Sequence, residues 1–208
     1  MTSMTSVRRL LRGGKEIAAL QALSGDAGLI VLREERAGDI AAREALLNEA
    51  FGAARFAKTS EILRSGRAPA RGLSLTATCN NQLVGTVRLW HVAAERGRGL
   101  LLLGPLAVAD SHRTFGIGGM LMREAIARAK ARGHKAILLV GDEPYYQRFG
   151  FAAALTNTLD LPGPVDRARF LGLELEDSAL CDVRGMIRPT GVLLNQRVRQ
   201  DERELLAA

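Results

Sequence analysis

A proline stands in the middle of what would otherwise be an unbroken buried strand. Residues 100–108 read Leu-Leu-Leu-Leu-Gly-Pro-Leu-Ala-Val. They are so uniformly apolar that both faces of the strand need cover. Pro105 has no N–H to give to a ladder, so the strand must bulge or break there. The next apolar run is Ala136–Val140, reached through a helical pattern over about Gly116–Arg132 that Gly133 stops. A strand–helix–strand crossover makes these two strands parallel neighbours. A bulge at Pro105 would splay them and open a cleft between them.

The loop between strand and helix carries a second signal. Leu103-Gly104-Pro105-Leu106-Ala107-Val108 runs into Ala109-Asp110-Ser111-His112-Arg113-Thr114-Phe115 and then Gly116-Ile117-Gly118-Gly119. The first turn of a helix has backbone N–H groups without internal partners, and the macrodipole adds about half a positive charge there. Phosphate groups bind such a turn, and glycines let them approach closely. Arg113 adds a charge-assisted donor. A nucleotide P-loop would need Gly-Lys-Ser/Thr, and Gly119-Met120 does not supply it; a dinucleotide fingerprint would need glycine at Leu121. Taken alone, the glycines fit a tightly packed helix start equally well.

The remaining elements follow from periodicity and punctuation. A strand is predicted at Leu29–Leu32, then a helix over about Ile40–Phe51 with Asp39 as its cap, and a helical piece around Thr59–Leu63. Strands at Leu73–Cys79 and Leu83–His91 flank Asn80-Asn81, a good hairpin turn because asparagine tolerates the left-handed backbone. Residues 95–99 make a further turn. After Ala136–Val140, Gly141-Asp142-Glu143-Pro144-Tyr145-Tyr146 begins a short helix over 143–149, with Asp142 or Glu143 as cap and Pro144 in its first turn. It sets two tyrosines beside the cleft. Another strand is expected from Phe151. Residues 1–28 read as an appendage with a short helical pattern at Ile17, Leu20 and Leu23. Residues 189–208 read as a mixed-charge tail with helical character, which leaves 29–188 as the main domain. The fold class is therefore α+β in three α/β/α layers: a mixed, mostly antiparallel sheet with a central splay between two parallel strands and helices on both faces.

Composition narrows the function. The chain has 208 residues, 47% of them apolar, and no apolar run near the ~20 residues of a membrane span. Two distant cysteines, Cys79 and Cys181, point to a reducing cytoplasm and are expected to be buried and inert. Residues 1–15 are basic but lack the apolar core of a secretory signal. Of the +7 net charge, +5 falls in residues 113–135, six basic residues against Glu124. That segment suits a polyphosphate ligand, nucleic acid or anionic lipid. An aromatic content of only 4% argues against a single-strand stacking platform. His91, His112 and His134 lack ligand spacing with the cysteines, so no metal is expected.

Two spellings together resemble the GCN5-related N-acetyltransferase (GNAT) superfamily. Arg113-x-x-Gly116-x-Gly118 after a buried strand resembles its acetyl-CoA motif, and Tyr146-Gln147-Arg148-Phe149-Gly150-Phe151 resembles its later Tyr-x-x-x-Gly-Phe motif. The wider pattern, over about residues 29–188, is similar to the YhbS-like branch. The resemblance implies an N-acetyltransferase using acetyl-CoA as co-substrate, with no metal, and a small-molecule or peptide amine as acceptor. It gives no role to nucleic acid or membrane, and it leaves a homodimer open. On this resemblance the backbone of Thr114, Phe115, Gly116, Ile117, Gly118 and Gly119, with Arg113, would hold the CoA pyrophosphate. Leu106, Ala107 and Val108 would run antiparallel to the pantetheine arm. An amide near the bulge would polarise the thioester carbonyl, and Tyr146 would protonate the departing thiolate. The glutamate that many relatives carry on the central strand has no counterpart in Leu100–Val108. Asp142, Glu95, His91 and His112 remain as candidate bases. A CoA-binding module without turnover, or transfer of a longer acyl group, are the alternatives.

Overall fold

A computed structural model describes the backbone of residues 7–12 and 15–20 and the whole of residues 29–195 apart from the Arg96 side chain. In chain order the strands are β1 (Val7–Arg12), β2 (Lys15–Leu20), β3 (Ile30–Glu34), β4 (Ser74–Cys79), β5 (Gln82–Ala93), β6 (Gly99–Val108), β7 (Ala136–Val140), β8 (Leu159–Asp160), β9 (Phe170–Glu174), β10 (Gly185–Met186) and β11 (Arg188–Pro189). The α-helices are α1 (Ile40–Phe51), α2 (Thr59–Ile62), α3 (Ile117–Ala131) and α4 (Glu143–Tyr146).

The main sheet runs β1-β2-β3-β4-β5-β6-β7-β9, with β11 beside β5. Every neighbouring pair in it is antiparallel except β6 and β7. The expected mixed sheet with one central parallel pair is thus present, and helices cover both faces. On one face, Ile117, Leu121, Met122, Ala125 and Ala129 of α3 repeat at helical spacing and bury against Leu75, Val87, Leu101, Ile137 and Leu171. Each large aliphatic side chain buried this way contributes roughly 1.5–3 kcal/mol. Gly85 allows the approach: a Cβ there would sit 3.0 Å from both Ile117 and Leu121. The other face is covered in two places. Leu46 and Leu47 of α1 pack on Ala107, while residues 159–187 lay Leu161, Leu180, Val183 and Ile187 over Trp90, Leu102 and Leu138.

Local chemistry explains most element ends. Asn80 and Asn81 take positive φ (49° and 65°), which is the hairpin turn their side chains favour. Gly133, at φ 75°, ends α3. Several expectations need correction. Asp39 does not cap α1 through its side chain; its carboxylate accepts from Arg33 at 2.5 and 2.8 Å and from the Arg36 amide at 2.7 Å. Ile17 and Leu20 lie in a strand rather than a helix, and β2 pairs with β3 at Ala18–Leu20; Leu23 lies outside the described residues. No strand starts at Phe151. That side chain is buried in the core, Ala152 makes a single bridge to Gly172, and the strand that closes the sheet comes later, at Phe170. Cys181 is exposed, whereas Cys79 is buried. The chain beyond β11 folds back on the 66–68 loop, with Ala68 N donating to Val192 O at 2.8 Å, so residues 189–195 of the tail expected to be helical are not helical, and residues 196–208 lie outside the described part. Among the described residues, no helix is long and apolar enough to cross a membrane.

Candidate active site

The anomaly at Pro105 is a bulge. Leu103 faces Leu89 and Leu106 faces Val87, so Gly104 and Pro105 together oppose Arg88 alone. Gly104 has φ 130°, a backbone region open to glycine and closed to most side chains. Its carbonyl accepts from the Trp90 indole N–H at 2.7 Å, which keeps a partner for a group the sheet has released. The extra residue also reverses the strand's alternation. Leu101 and Leu103 face α3 before the bulge, and Leu106 and Val108 do so after it, with Ala107 turned to α1.

The splay follows directly. β6 and β7 pair only at Leu101–Ile137 and Leu102–Leu138, and beyond Leu103 they part. The gap is a cleft of about 200 Å³ walled by Leu103, Gly104, Pro105 and Leu106 on one side and Val140, Gly141, Asp142 and Tyr146 on the other.

α3 starts along the same edge. Gly116 holds the left-handed conformation at its N-cap (φ 70°), and no side chain caps the helix. The amides of Ile117, Gly118 and Gly119 therefore have no partner within the helix. Ile117 sends its side chain into the core, Gly118 is half-buried and Gly119 is buried. Thr114 and Phe115 lie in the preceding 3₁₀ turn (Asp110–Phe115) and are exposed. Arg113 is exposed too and pairs with Asp110 at 2.7 Å.

The two tyrosines divide between these features. The Tyr146 ring lies directly on the Cα of Gly141, where any side chain would overlap it. It touches Tyr145 and Phe151 edge-on, at centroid distances of 4.9 and 6.0 Å, and reaches the cleft. Burial, helped by Tyr145 and the Asp142 charge and opposed by Arg169, pushes its phenol up to about 12. Tyr145 points the other way. Its hydroxyl would be 2.7 Å from a Cβ on Gly118, so it stands against the first turn of α3, while the Arg148 guanidinium lies 4.1 Å over its ring.

The description "Acetyltransferase (GNAT) domain" fits residues 70–153, which span the hairpin, the bulge, α3 and the tyrosines. An uncharacterized N-acetyltransferase, YhbS of Escherichia coli K12, is 30% identical over 160 residues, 76% of this chain and 95% of the relative. The chain belongs to the GNAT N-acetyltransferase family. The crystal structure of E. coli YhbS in complex with CoA superposes with a TM-score of 0.69 at 28% identity, over 80% of this chain and 93% of that one. A Brucella melitensis GNAT acetyltransferase in complex with acetyl-CoA gives 0.52 at 27% identity, over 81% and 97%.

Within this GNAT fold the four candidate bases separate by position. His91 packs 5.5 Å from His134; Glu95 lines a distant hollow with Arg98, Asp182 and Arg184; His112 bonds Ser111 at 2.8 Å in the exposed turn. Asp142 alone borders the cleft, paired with Arg169 at 3.1 Å. Asp142 occupies the N-cap of α4 without a side-chain cap bond, and the Glu143 carboxylate accepts from the Ala153 amide at 3.0 Å, so neither expected cap forms. Glu61 on α2 also lines the cleft, ion-paired to Arg64 at 3.0 Å. It was not singled out in the sequence, because α2 is one turn long and carries no motif. A set of arginines beside the bulge was equally silent. Arg43 is almost wholly buried and grips Glu35 and Glu44; Arg55 reaches Glu44; Arg88 pairs with Glu35 at 3.3 Å. Burial pushes the Glu44 carboxyl up, but hydrogen bonds and charge from Arg55 and Arg43 outweigh it and hold it below the usual carboxylate range.

Proposed function

We propose that this chain transfers an acetyl group from acetyl-CoA to an amine by direct attack, with the reacting thioester in the β6–β7 cleft. The observation that carries the reading is the alignment along one edge of three features: an uncapped glycine helix start, a bulged strand that leaves its parallel neighbour, and a tyrosine at the mouth of the gap. The relatives crystallised with CoA and acetyl-CoA support it.

The residues fit the donor molecule. The amides of Ile117, Gly118 and Gly119 offer N–H groups and helix-end charge to the pyrophosphate. Thr114, Phe115 and Gly116 shape the turn before them, and the exposed Arg113, paired with Asp110, adds a positive charge. Leu106, Ala107 and Val108 lie past the point where β7 departs, so that stretch can be read by the amides of a pantetheine arm as an added strand. Acetyl-CoA supplies an electrophilic carbonyl and a good leaving group. The amine nitrogen bonds to the carbonyl carbon, the carbon–sulfur bond breaks with its electrons on sulfur, the nitrogen gives up one proton, and CoA leaves as a thiolate that takes one proton from solvent.

The role assigned to Tyr146 is to donate its hydroxyl hydrogen toward the departing sulfur. A phenol at about 12 stays protonated throughout the neutral range. So weak an acid helps by a hydrogen bond to the charge developing on sulfur rather than by a finished proton transfer. The proton lost by nitrogen leaves by way of water to Asp142 or Glu61, the carboxylates that border the cleft. Thiol release from acetyl-CoA, assayed with a panel of amines alongside calorimetry of CoA binding, tests the proposal: CoA should bind, and thiol should appear only with an acceptor. A folded protein that binds no CoA would end it.

A further inference from the structure

Next to the cleft, on the sheet face away from α3, lies a second hollow of about 400 Å³. It is walled by α1 and by residues 55–67, with Arg88 and Trp90 of β5 as its floor. The cleft and the hollow share Arg55, Glu61, Arg64 and Pro105, so they meet at the bulge. A molecule resting in the hollow would therefore present one end to the place assigned to the thioester.

The hollow is strongly cationic. Five arginines line it, Arg43, Arg55, Arg64, Arg67 and Arg88, against Glu44 and Glu61. Adding Glu35, which pairs with Arg43 and Arg88 from behind, makes five positive groups against three negative and leaves two positive charges over. The arginines differ in their engagement. Arg43, Arg55 and Arg88 are committed to Glu35 and Glu44. Arg64 is only 8% exposed, and although its Nη2 meets Glu61, its Nε is buried with no hydrogen-bond partner. A buried guanidinium N–H without an acceptor is costly in a folded protein unless something else fills it. Arg67 donates to the Gly191 carbonyl at 2.6 Å and pairs with no carboxylate among the described residues. The Arg64 Nε is enclosed by protein, so what the two guanidiniums, three residues apart, offer to the hollow they both line is their terminal Nη groups. Paired N–H donors of this kind match the oxygens of a carboxylate or phosphate.

Resting on the acetyl-transfer reading, we propose that the acceptor is a small amine that also carries an anionic group, carboxylate or phosphate, and that Arg64 and Arg67 bind that anion while the amine reaches the bulge. The surplus positive charge disfavours polyamines and aminoglycosides, which would bring further cations into the hollow. Glu61, held by Arg64 and bordering both spaces, lies where an incoming ammonium needs a counter-charge.

The test uses matched acceptors with the intact protein: amino acids against their decarboxylated amines, aminoalkyl phosphates against the corresponding amino alcohols, and spermidine as a polycation. Thiol release should favour the anionic member of a pair by about tenfold or more in kcat/KM, the scale of one charge-assisted contact. The carboxylate and phosphate arms decide which anion is meant. Arg67→Gln and Arg64→Gln should each raise KM for the favoured acceptor about tenfold or more and leave CoA affinity unchanged by calorimetry. If Arg64→Gln does not fold, Arg67→Gln, held by one carbonyl at the rim, carries the comparison. Release that favours spermidine or the neutral amines overturns the anion site and leaves acetyl transfer standing. Anionic amines that bind the CoA complex without thiol release leave the anion site and remove acetyl transfer. Neither binding nor release with any anionic amine overturns the proposal.

Discussion

Replacing Tyr146 by phenylalanine removes one oxygen and leaves the ring in place on Gly141. Among the described residues nothing hydrogen-bonds to the Tyr146 hydroxyl, so its loss should change stability by less than ~1 kcal/mol. The effect on rate is set by its acidity. The shift from 10.0 to about 12 means that ionisation is disfavoured by a further ~3 kcal/mol in the protein. A phenol pushed up by burial is a weak acid toward a departing thiolate, so the contribution is taken as a hydrogen bond rather than as the upper range of general-acid catalysis. What remains is a hydrogen bond to a developing anion in a half-buried site, worth about 1.5–3 kcal/mol. At 1.36 kcal/mol per decade, that is a fall of about 10- to 150-fold in the chemical step. Thiol release under single-turnover conditions with saturating acetyl-CoA isolates that step, and a thermal melt checks the fold. Tyr145→Phe, whose hydroxyl faces Gly118 instead, should stay within a few-fold at saturation. A Tyr146→Phe rate within threefold of the parent, on a folded variant, would refute the role.

Gly118→Ala puts a methyl group 2.7 Å from the Tyr145 hydroxyl, so Tyr145 must move and CoA affinity should drop roughly tenfold by calorimetry; Gly118→Glu adds a carboxylate at the phosphate position and should abolish binding while the melt persists. Leu121→Ala, in the fully buried face of α3, should cost about 2–5 kcal/mol in urea denaturation. Asp39, held low first by its Arg33 hydrogen bonds, and Glu44 both have folded pKa values below their unfolded ones. Their stabilisation is present above ~pH 4 and disappears as pH falls through the depressed values, so urea midpoints should decline between pH 5 and pH 3. Glu44→Gln should be less stable at pH 7 and show a shallower acid dependence.

Local chemistry made much of the frame legible. A proline in a buried strand has few solutions, and the bulge it predicted is the one that opens the cleft. Asn80-Asn81 and Gly133 announce positive φ because few other residues tolerate it. Where pairing partners decide structure, the sequence said less. Ile17 and Leu20 are three apart and fit a helix, yet residues 15–20 extend along the edge offered by β3. Phe151 looks like the start of a strand but is a core side chain, and the strand that closes the sheet waits for Phe170. The arginines of the second hollow are spread over α1, the turns around α2, and β5. Only the folded sheet collects Arg43, Arg64 and Arg88, so no spacing could reveal them. Of the two tyrosines expected beside the cleft, Tyr146 borders it and Tyr145 turns away to the start of α3; Gly141 and Gly118, which fix where each ring can lie, decide that division.

The bulge at Gly104–Pro105 also governs which insertions and deletions this strand can tolerate. Because it reverses the alternation of β6, everything downstream is packed one residue out of step with everything upstream. Deleting Gly104 or Pro105 would leave Leu103 and Leu106 two positions apart, as in a regular strand, so Leu106 and Val108 would still face α3 and Ala107 would still face α1. Neither helix layer depends on the extra residue; the departure of β6 from β7 does. A one-residue deletion at the bulge should therefore close the cleft and leave the packing of both layers in place.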